Sequence, residues 1–362
     1  MALAVLAPPP PSVPGGAPRP GAQLGPRLGD LALRSAVVVA PMAGITDVPF
    51  RQIASEMGAG LVCTEMVAAE AVVRSVDASL RLLEFPPGPE CPVAAQLVGC
   101  DPAVMAEAAR VAVARGAQVI DVNLGCPVRK VVGLGNGAAL ARDVGRTAAV
   151  LGAIVEAVPV PVTAKMRLGW DHRTINAPEL ARALEAVGVQ AVTVHGRTRC
   201  QGYAGEADWA EIARVKHAVG IPVLGSGDVV DPRVTEARIR SGCVDGVVLA
   251  RGMLGDFWLL RQMTGRLAGE GEVAAQPFAD RMALTRRHLF ALVAHYGERR
   301  AVKLGRKYVA WAIRGCNGAA RLRAAVQGMD SRERLEELLG AALAAGERPE
   351  GLYRPVFTSG EG

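Results

Sequence analysis

From Val37 onward one pattern recurs: a short apolar, β-branched run ends in a polar residue or glycine, and a stretch of helical composition follows. The predicted strands are Val37–Ala40, Leu61–Glu65, Val93–Leu97, Val119–Asn123, Val160–Met166, Ala191–His195, Pro222–Gly225 and Val244–Leu249. Runs that are apolar throughout belong to strands buried on both faces, the condition of a parallel sheet covered by helices. The predicted helices between them include Pro102–Arg115, Gly137–Val158, Ala177–Val187, Asp208–Val219 and Asp231–Ser241. Asp101, Asp208 and Asp231 suit N-caps, two of them followed by proline, and Gly116, Gly188, Gly220 and Gly242 suit C-caps. Eight such units in about 230 residues predict an α/β chain with a closed (β/α)8 TIM barrel. The alternative, an open doubly wound sheet, lacks its usual GxGxxG after the first strand. Gly133-Leu134-Gly135-Asn136-Gly137 lies about ten residues beyond its strand and reads as a loop leading into a helix.

After about Gly269 strands cease. Phe278–Tyr296, Arg299–Arg314, Asn317–Val326 and Ser331–Ala345 read as helices, so a smaller all-helical domain is expected to follow the barrel. The expected division is 1–30 as a disordered Pro/Gly-rich start, 31–269 as the barrel, 270–346 as the helical domain and 347–362 as a flexible tail. Charge follows the same division. Arg281–Arg323 holds 11 Lys/Arg against one acid, Glu298, a local charge of +10 within a total of +6, which leaves −4 for the rest. A basic tail on a nearly neutral body suggests a polyanionic partner; the alternative is a solvated helix surface. Met1–Ala7 lacks the basic start of a signal peptide, and no apolar run reaches the ~18 residues of a membrane span. The seven cysteines form no CxxC pair and no zinc spacing with histidine, so no metal site is expected and reduced thiols in the cytoplasm are. The chain is taken as a monomer.

In a barrel the C-terminal strand ends form the active face. Met42 and Thr46 follow the first strand, Glu65 ends the second, Gln96 lies in the third, and Asn123 and Cys126 follow the fourth. Lys165 lies in the fifth, His195 and Arg197 close the sixth, and Ser226-Gly227-Asp228 and Arg251-Gly252 follow the seventh and eighth. The last two are small-residue loops before helices, suited to aim backbone N–H groups at a phosphate, with Arg251 as a clamp. Gly125 and Pro127 set Cys126 in a rigid turn beside Arg129 and Lys130, as a nucleophile, an acid/base or an inert thiol.

These residues resemble the tRNA-dihydrouridine synthases of the bacterial type. The likeness covers roughly Val37 to Arg323 and rests on ordered motifs. They are Ala40-Pro41-Met42-Ala43-Gly44-Ile45-Thr46-Asp47, Gln96-Leu97, Asp121-Val122-Asn123-Leu124-Gly125-Cys126-Pro127 and Lys165-Met166-Arg167-Leu168-Gly169-Trp170. His195-Gly196-Arg197-Thr198-Arg199, Gly225-Ser226-Gly227-Asp228 and Ala250-Arg251-Gly252 complete the series. The resemblance implies FMN as cofactor, NADPH as electron donor and tRNA as substrate. It implies that Pro41, Met42 and Ala43 meet the flavin ring through backbone, that Gln96 and Lys165 bind its carbonyl and nitrogen edge, and that His195 contacts the cofactor. Ser226, Gly227, Asp228, Ala250 and Arg251 would hold the ribityl phosphate, and Asn123 and Arg197 would line the substrate pocket. Hydride would pass to uridine C6 while Cys126 protonates C5. The basic tail would bind tRNA, with Arg306, Lys307 and Arg314 on phosphates and Trp311 either there or in the core. Two positions depart from the family: Ser226 stands where Asn is usual and Ala250 where Gly is usual. Backbone N–H groups remain available at both, so FMN binding is expected to survive. Two rival readings are an FMN barrel acting on a small molecule, and a non-catalytic RNA-binding relic.

Overall fold

The structure, a computed structural model, describes residues 25–85 and 91–348. Eight parallel strands close into a barrel: β1 (Val37–Val39), β2 (Leu61–Cys63), β3 (Val93–Val98), β4 (Val119–Leu124), β5 (Val162–Arg167), β6 (Ala191–His195), β7 (Val223–Ser226) and β8 (Gly246–Leu249). Closure comes from β8 pairing β1, with Val247 opposite Val37, and from β2 pairing β3, with Val62 opposite Val93. Helices α1 (Val48–Glu56), α2 (Pro102–Ala114), α3 (Val144–Ala157), α4 (Ala177–Ala186), α5 (Trp209–Ala218), α6 (Pro232–Arg240) and α7 (Trp258–Leu267) follow strands around the chain. The barrel strands are almost wholly buried, which is why their sequences lack polar alternation.

Caps set several boundaries. The side chains of Asp101, Asp208 and Asp231 accept backbone N–H groups at the starts of α2, α5 and α6. Gly116, Gly188 and Gly242 take positive φ. Gly220 does not fit its expected cap: Val219, with φ −139°, ends α5 in extended backbone, and the Gly220 N–H donates to Glu185 instead. The expected helix from Gly137 begins at Val144, because Asp143 accepts the Arg146 N–H as N-cap. Before it come one turn of helix at Arg129–Val132, left-handed Gly135 and Gly137, and a 3-10 turn at Leu140–Arg142.

Residues 25–30, expected within the disordered start, are ordered instead. Arg27–Leu28 and Leu31–Ala32 pair as a hairpin, and Leu28 and Leu33 are buried against Val38, Leu61, Val119 and Leu224. Burying each leucine contributes about 1.5–3 kcal/mol. The remainder of that start lies outside the described residues. A further short strand, Val67–Ala68, pairs with β3.

Contacts group the barrel residues through Ala275 as one compact unit and those from Gln276 as a second. The second unit comprises α8 (Phe278–Tyr296), α9 (Glu298–Ala312), α10 (Ala319–Val326) and α11 (Arg332–Ala345) around Leu289, Val302, Val309, Ile313, Leu335 and Leu338. At the end expected as a flexible tail, Glu347 bridges Cys316 and the Arg348 N–H donates to Gly315; the residues after Arg348 lie outside the description. No described helix is long and apolar enough to cross a membrane.

Candidate active site

Strand register gathers the polar residues. Gln96 stands opposite Asp121, Asn123 opposite Lys165, Arg167 opposite His195, and His195 opposite Ser226. Side chains at i and i+2 of a strand share a face, so Asp121 and Asn123 on β4 and Thr163, Lys165 and Arg167 on β5 line up. The result is a directed hydrogen-bond chain. Both Asp121 oxygens accept, one from Thr163 Oγ1 at 2.8 Å and one from Gln96 Nε2 at 2.7 Å. Gln96 Oε1 then accepts from Asn123 Nδ2 at 2.9 Å. Asn123 Oδ1 in turn accepts the Gly125 and Cys126 N–H groups at 3.1 and 2.9 Å. A carboxylate can only accept, so Asp121 sets the orientation of both amides and, through them, the turn that carries the thiol.

Cys126 lines a cavity of about 640 Å³ together with Pro41, Met42, Ala43, Gln96, Asn123, Lys165 and His195. Ligand cavities span roughly 300–1,000 Å³. The Cys126 turn is held from behind: its carbonyl accepts the Ala138 N–H, and a Cβ at Gly137 would lie 3.1–3.2 Å from Cys126 atoms. Met42 is folded over Thr46, its carbonyl accepting the Ile45 and Thr46 N–H groups, and the Gly44 N–H donates to Glu65.

Lys165 reaches the same cavity, and its ammonium donates no hydrogen bond among the described residues. Desolvation, and then Arg167, draw it down from the usual lysine value to about 8, against the opposing pull of Asp121. His195 is held well below its ordinary value by burial and by Lys165, Arg167, Arg197 and Arg251, so it is neutral at pH 7. Its Nε2 lies 3.5 Å from Arg197 Nη1. Since arginine only donates, a neutral ring accepts this contact only with its proton on Nδ1.

The loops after β7 and β8 form the far wall. Gly227 has φ +114°, and a Cβ there would meet Ala207 at 2.6 Å and His195 at 3.0 Å. Among the described residues, the backbone N–H groups of Gly227, Asp228 and Gly252 donate to no acceptor, and all three residues line the cavity with Ser226, Ala250 and Arg251. An anion is the natural partner of such a cradle. Two of the expected site residues have their side chains committed within the protein. The Asp228 carboxylate turns away from the cradle, accepting both Arg197 Nη2 at 2.9–3.0 Å and the Ala207 N–H at 2.7 Å. Arg197, expected on substrate, is buried. It spends its other donors on the Ala204 and Gly205 carbonyls, so it holds the loop rather than reaching outward.

Several cavity residues escaped the sequence reading. Tyr203, 55% exposed, lies under the guanidinium of Arg251 at 4.3 Å and near that of Arg167 at 5.4 Å. Trp209 donates to the Gly227 carbonyl at 3.2 Å, with Arg238 stacked 3.7 Å above its ring. Arg238 is 29 residues from Trp209 and sits on a polar helix face, so no local pattern marks it. The tail residues also divide. Arg306 is partly claimed by the Met329 carbonyl, while Lys307 lies 5.0 Å over the Tyr308 ring. Trp311 packs edge-on against Tyr308, and Arg314, half-buried, gives its carbonyl to Arg281. Arg281 and Arg286 are neutralised by Glu347 and Glu336. Exposed cations lie on either side of these, at Arg299, Arg300 and Lys303 and at Arg321 and Arg323.

Comparison with known proteins gives this geometry a family. The family model described as dihydrouridine synthase (Dus) matches residues 38–346. The chain belongs to the dihydrouridine synthase family. It is 41% identical over 304 residues to a probable tRNA-dihydrouridine synthase of Rickettsia bellii, covering 84% of this chain and 93% of the relative. It is 40% identical over 299 residues to tRNA-dihydrouridine synthase B of Pseudomonas aeruginosa, covering 82% and 90%. Among solved structures, 6-hydroxypseudooxynicotine amine oxidase of Pseudomonas geniculata N1 shares the fold at a TM-score of 0.52 and 14% identity, over 90% of this chain and 66% of the other. Histamine dehydrogenase of Rhizobium sp. 4-9 does so at 0.50 and 16%, over 73% and 50%.

Proposed function

We propose that this dihydrouridine synthase reduces the C5=C6 bond of a uridine in tRNA, with Cys126 as the acid that protonates C5. The observation that carries the reading is the shared cavity: a thiol in a rigid turn faces the same space as an unpaired ammonium, Lys165, and an amide cradle, Gly227, Asp228 and Gly252. The residues suit FMN. The cradle and Arg251 would take its phosphate, Pro41 to Ala43 would lie along its ring, and Gln96 and Lys165 would meet its polar edge. When bound and reduced by NADPH, that group supplies the hydride for C6. The chain's own part is electrostatic and geometric. The Lys165 cation favours negative charge at the ring edge. Neutral His195 adds no charge beside it. The Asp121–Gln96–Asn123 chain fixes where the Cys126 turn stands. The relatives' names support tRNA as substrate, and the target base would leave its stack to enter the cavity. Exposed Arg299, Arg300 and Lys303 of the helical unit offer phosphate contacts.

The test is purified protein with unmodified tRNA transcript and NADPH. Flavin absorbance and dihydrouridine formation are expected. Cys126→Ala should keep the flavin and slow product formation by roughly 10²–10⁴-fold. A flavin-loaded, NADPH-reducible protein that makes no dihydrouridine on any tRNA would defeat the reading.

A further inference from the structure

Beside the main cavity lies a second hollow of about 610 Å³, lined by Leu124, Arg142, Arg167, Trp170, Asn176 and others. Arg167 is a wall of both. It is already spent, donating to the carbonyls of Gly125, Thr198 and Gly202. Two other guanidiniums are not. Arg142, on the wall of the hollow, and Arg199, from the loop after β6 and outside that lining, each lie over the Trp170 indole, 4.6 Å from its ring centroid. Among the described residues neither side chain donates a hydrogen bond or joins an ion pair, and Arg199 Nε is buried without an acceptor. A buried donor left unmade is a rare feature in folded proteins.

The platform beneath them is built. Backbone N–H groups of Arg199 and Cys200 donate to the Gly169 and Trp170 carbonyls, both at 2.9 Å, which stitches the two loops together. Asn176 Nδ2 donates to the Ala141 carbonyl at 2.8 Å, anchoring the turn that presents Arg142. A Cβ at Gly169 would lie 2.2 Å from the Thr174 carbonyl, so this loop closes only around glycine.

We propose that Arg142 and Arg199, mounted on Trp170, clamp a backbone phosphodiester of the polynucleotide whose base occupies the main cavity. The inference rests on the tRNA reading above. A strand with one base turned inward must carry its neighbouring phosphates across the rim, and the adjacent rim at Arg167 leads to this hollow. Guanidinium forks match phosphate oxygens, and stacking on the indole holds them in place. The hollow also carries Asp143, spent as the cap of α3, and the exposed Glu179. Those carboxylates favour a singly charged diester over the dianionic phosphate monoester of a nicotinamide dinucleotide. The same phosphate chemistry could nevertheless come from that reductant, so the experiment separates the two.

The double variant Arg142→Gln/Arg199→Gln is compared with wild type as flavin-loaded full-length protein. Affinity for a tRNA transcript should fall ~10-fold, with the slope of log K against log [salt] shallower by about 0.7–0.9 per phosphate lost. The KM for NADPH in flavin reduction without tRNA should stay unchanged, which also reports an intact fold. Unchanged tRNA affinity and slope would overturn the clamp, as would a raised KM for NADPH with tRNA binding intact. Arg142→Lys/Arg199→Lys keeps the charge and tests the fork: it should regain the slope but only part of the affinity, and full wild-type affinity would overturn the bidentate role. Dihydrouridine formation by wild type is scored in parallel. Its absence with tRNA bound counts against the proposed reaction alone, since the clamp is judged by the binding data.

Discussion

Replacing Asp121 separates two jobs that this buried carboxylate performs. It accepts hydrogen bonds from Gln96 and Thr163, and its charge opposes the desolvation of Lys165. Asp121→Ala removes both. Gln96 Nε2 and Thr163 Oγ1 are buried, and each unmet donor costs about 1–3 kcal/mol, so a loss of roughly 2–6 kcal/mol is expected. Asp121→Asn removes only the charge. Its amide oxygen can still accept from Gln96 while its NH₂ donates to the Thr163 hydroxyl, which rotates to accept. That variant should lie within about 1.5 kcal/mol of wild type. Both variants withdraw the negative neighbour that holds Lys165 up at about 8. The ammonium is the form present below that value and is lost as pH rises through it. If the cation supports turnover, rate falls on the alkaline side, and both variants should move that fall to lower pH. Denaturant melts and the pH profile of flavin reduction and of dihydrouridine formation provide the readout. Equal stability of the two variants would refute the hydrogen-bond argument. An unmoved alkaline limb in both would refute the electrostatic one.

Two further outcomes are expected. Gly225→Ala would place a Cβ 2.3 Å from the Trp209 ring, which Arg238 above and the Gly227 carbonyl at its edge hold in place. Overpacking of this kind costs about 1–3 kcal/mol, so a fall of roughly 2–12 °C in Tm with weakened flavin retention is predicted by thermal melt and absorbance. In the helical unit, burial, then Lys307 and Arg287, lower His288 to about 3. An unfolded chain takes up this proton below about 6.5 while the folded chain does not until about 3. Stability is therefore full above the unfolded value and is lost as pH falls between the two, at up to ~1.4 kcal/mol per pH unit. Urea unfolding at pH 7 and pH 4.5 should show a smaller difference for His288→Phe than for wild type, and equal differences would sink the assignment.

The eight barrel strands were legible because burial on both faces leaves a continuous apolar run, and aspartate caps marked where α2, α5 and α6 begin. The rim residues were legible for a related reason. A barrel places every strand's C-terminal end on one face, so order along the chain already implies convergence. Helix α3 begins seven residues after its expected start, because glycine and alanine in Gly137–Ala141 leave composition silent on where the turn ends. Residues 25–30 fall within the expected disordered start because much of the burial of Leu28 comes from Leu61, Val119 and Leu224, far along the chain.

The order of the strands, the glycines of the loops after β7 and β8 and the identity of the thiol turn were determined by sequence, since each depends on neighbouring residues alone. Tertiary structure decided which charges are free to act. Arg197 and Asp228, 31 residues apart, cancel each other. Arg306 gives part of itself to Met329, while Arg142 and Arg199 meet on one indole and stay uncommitted. A guanidinium has the same letter in every role; only the acceptors that folding brings within reach distinguish a brace from a binding group.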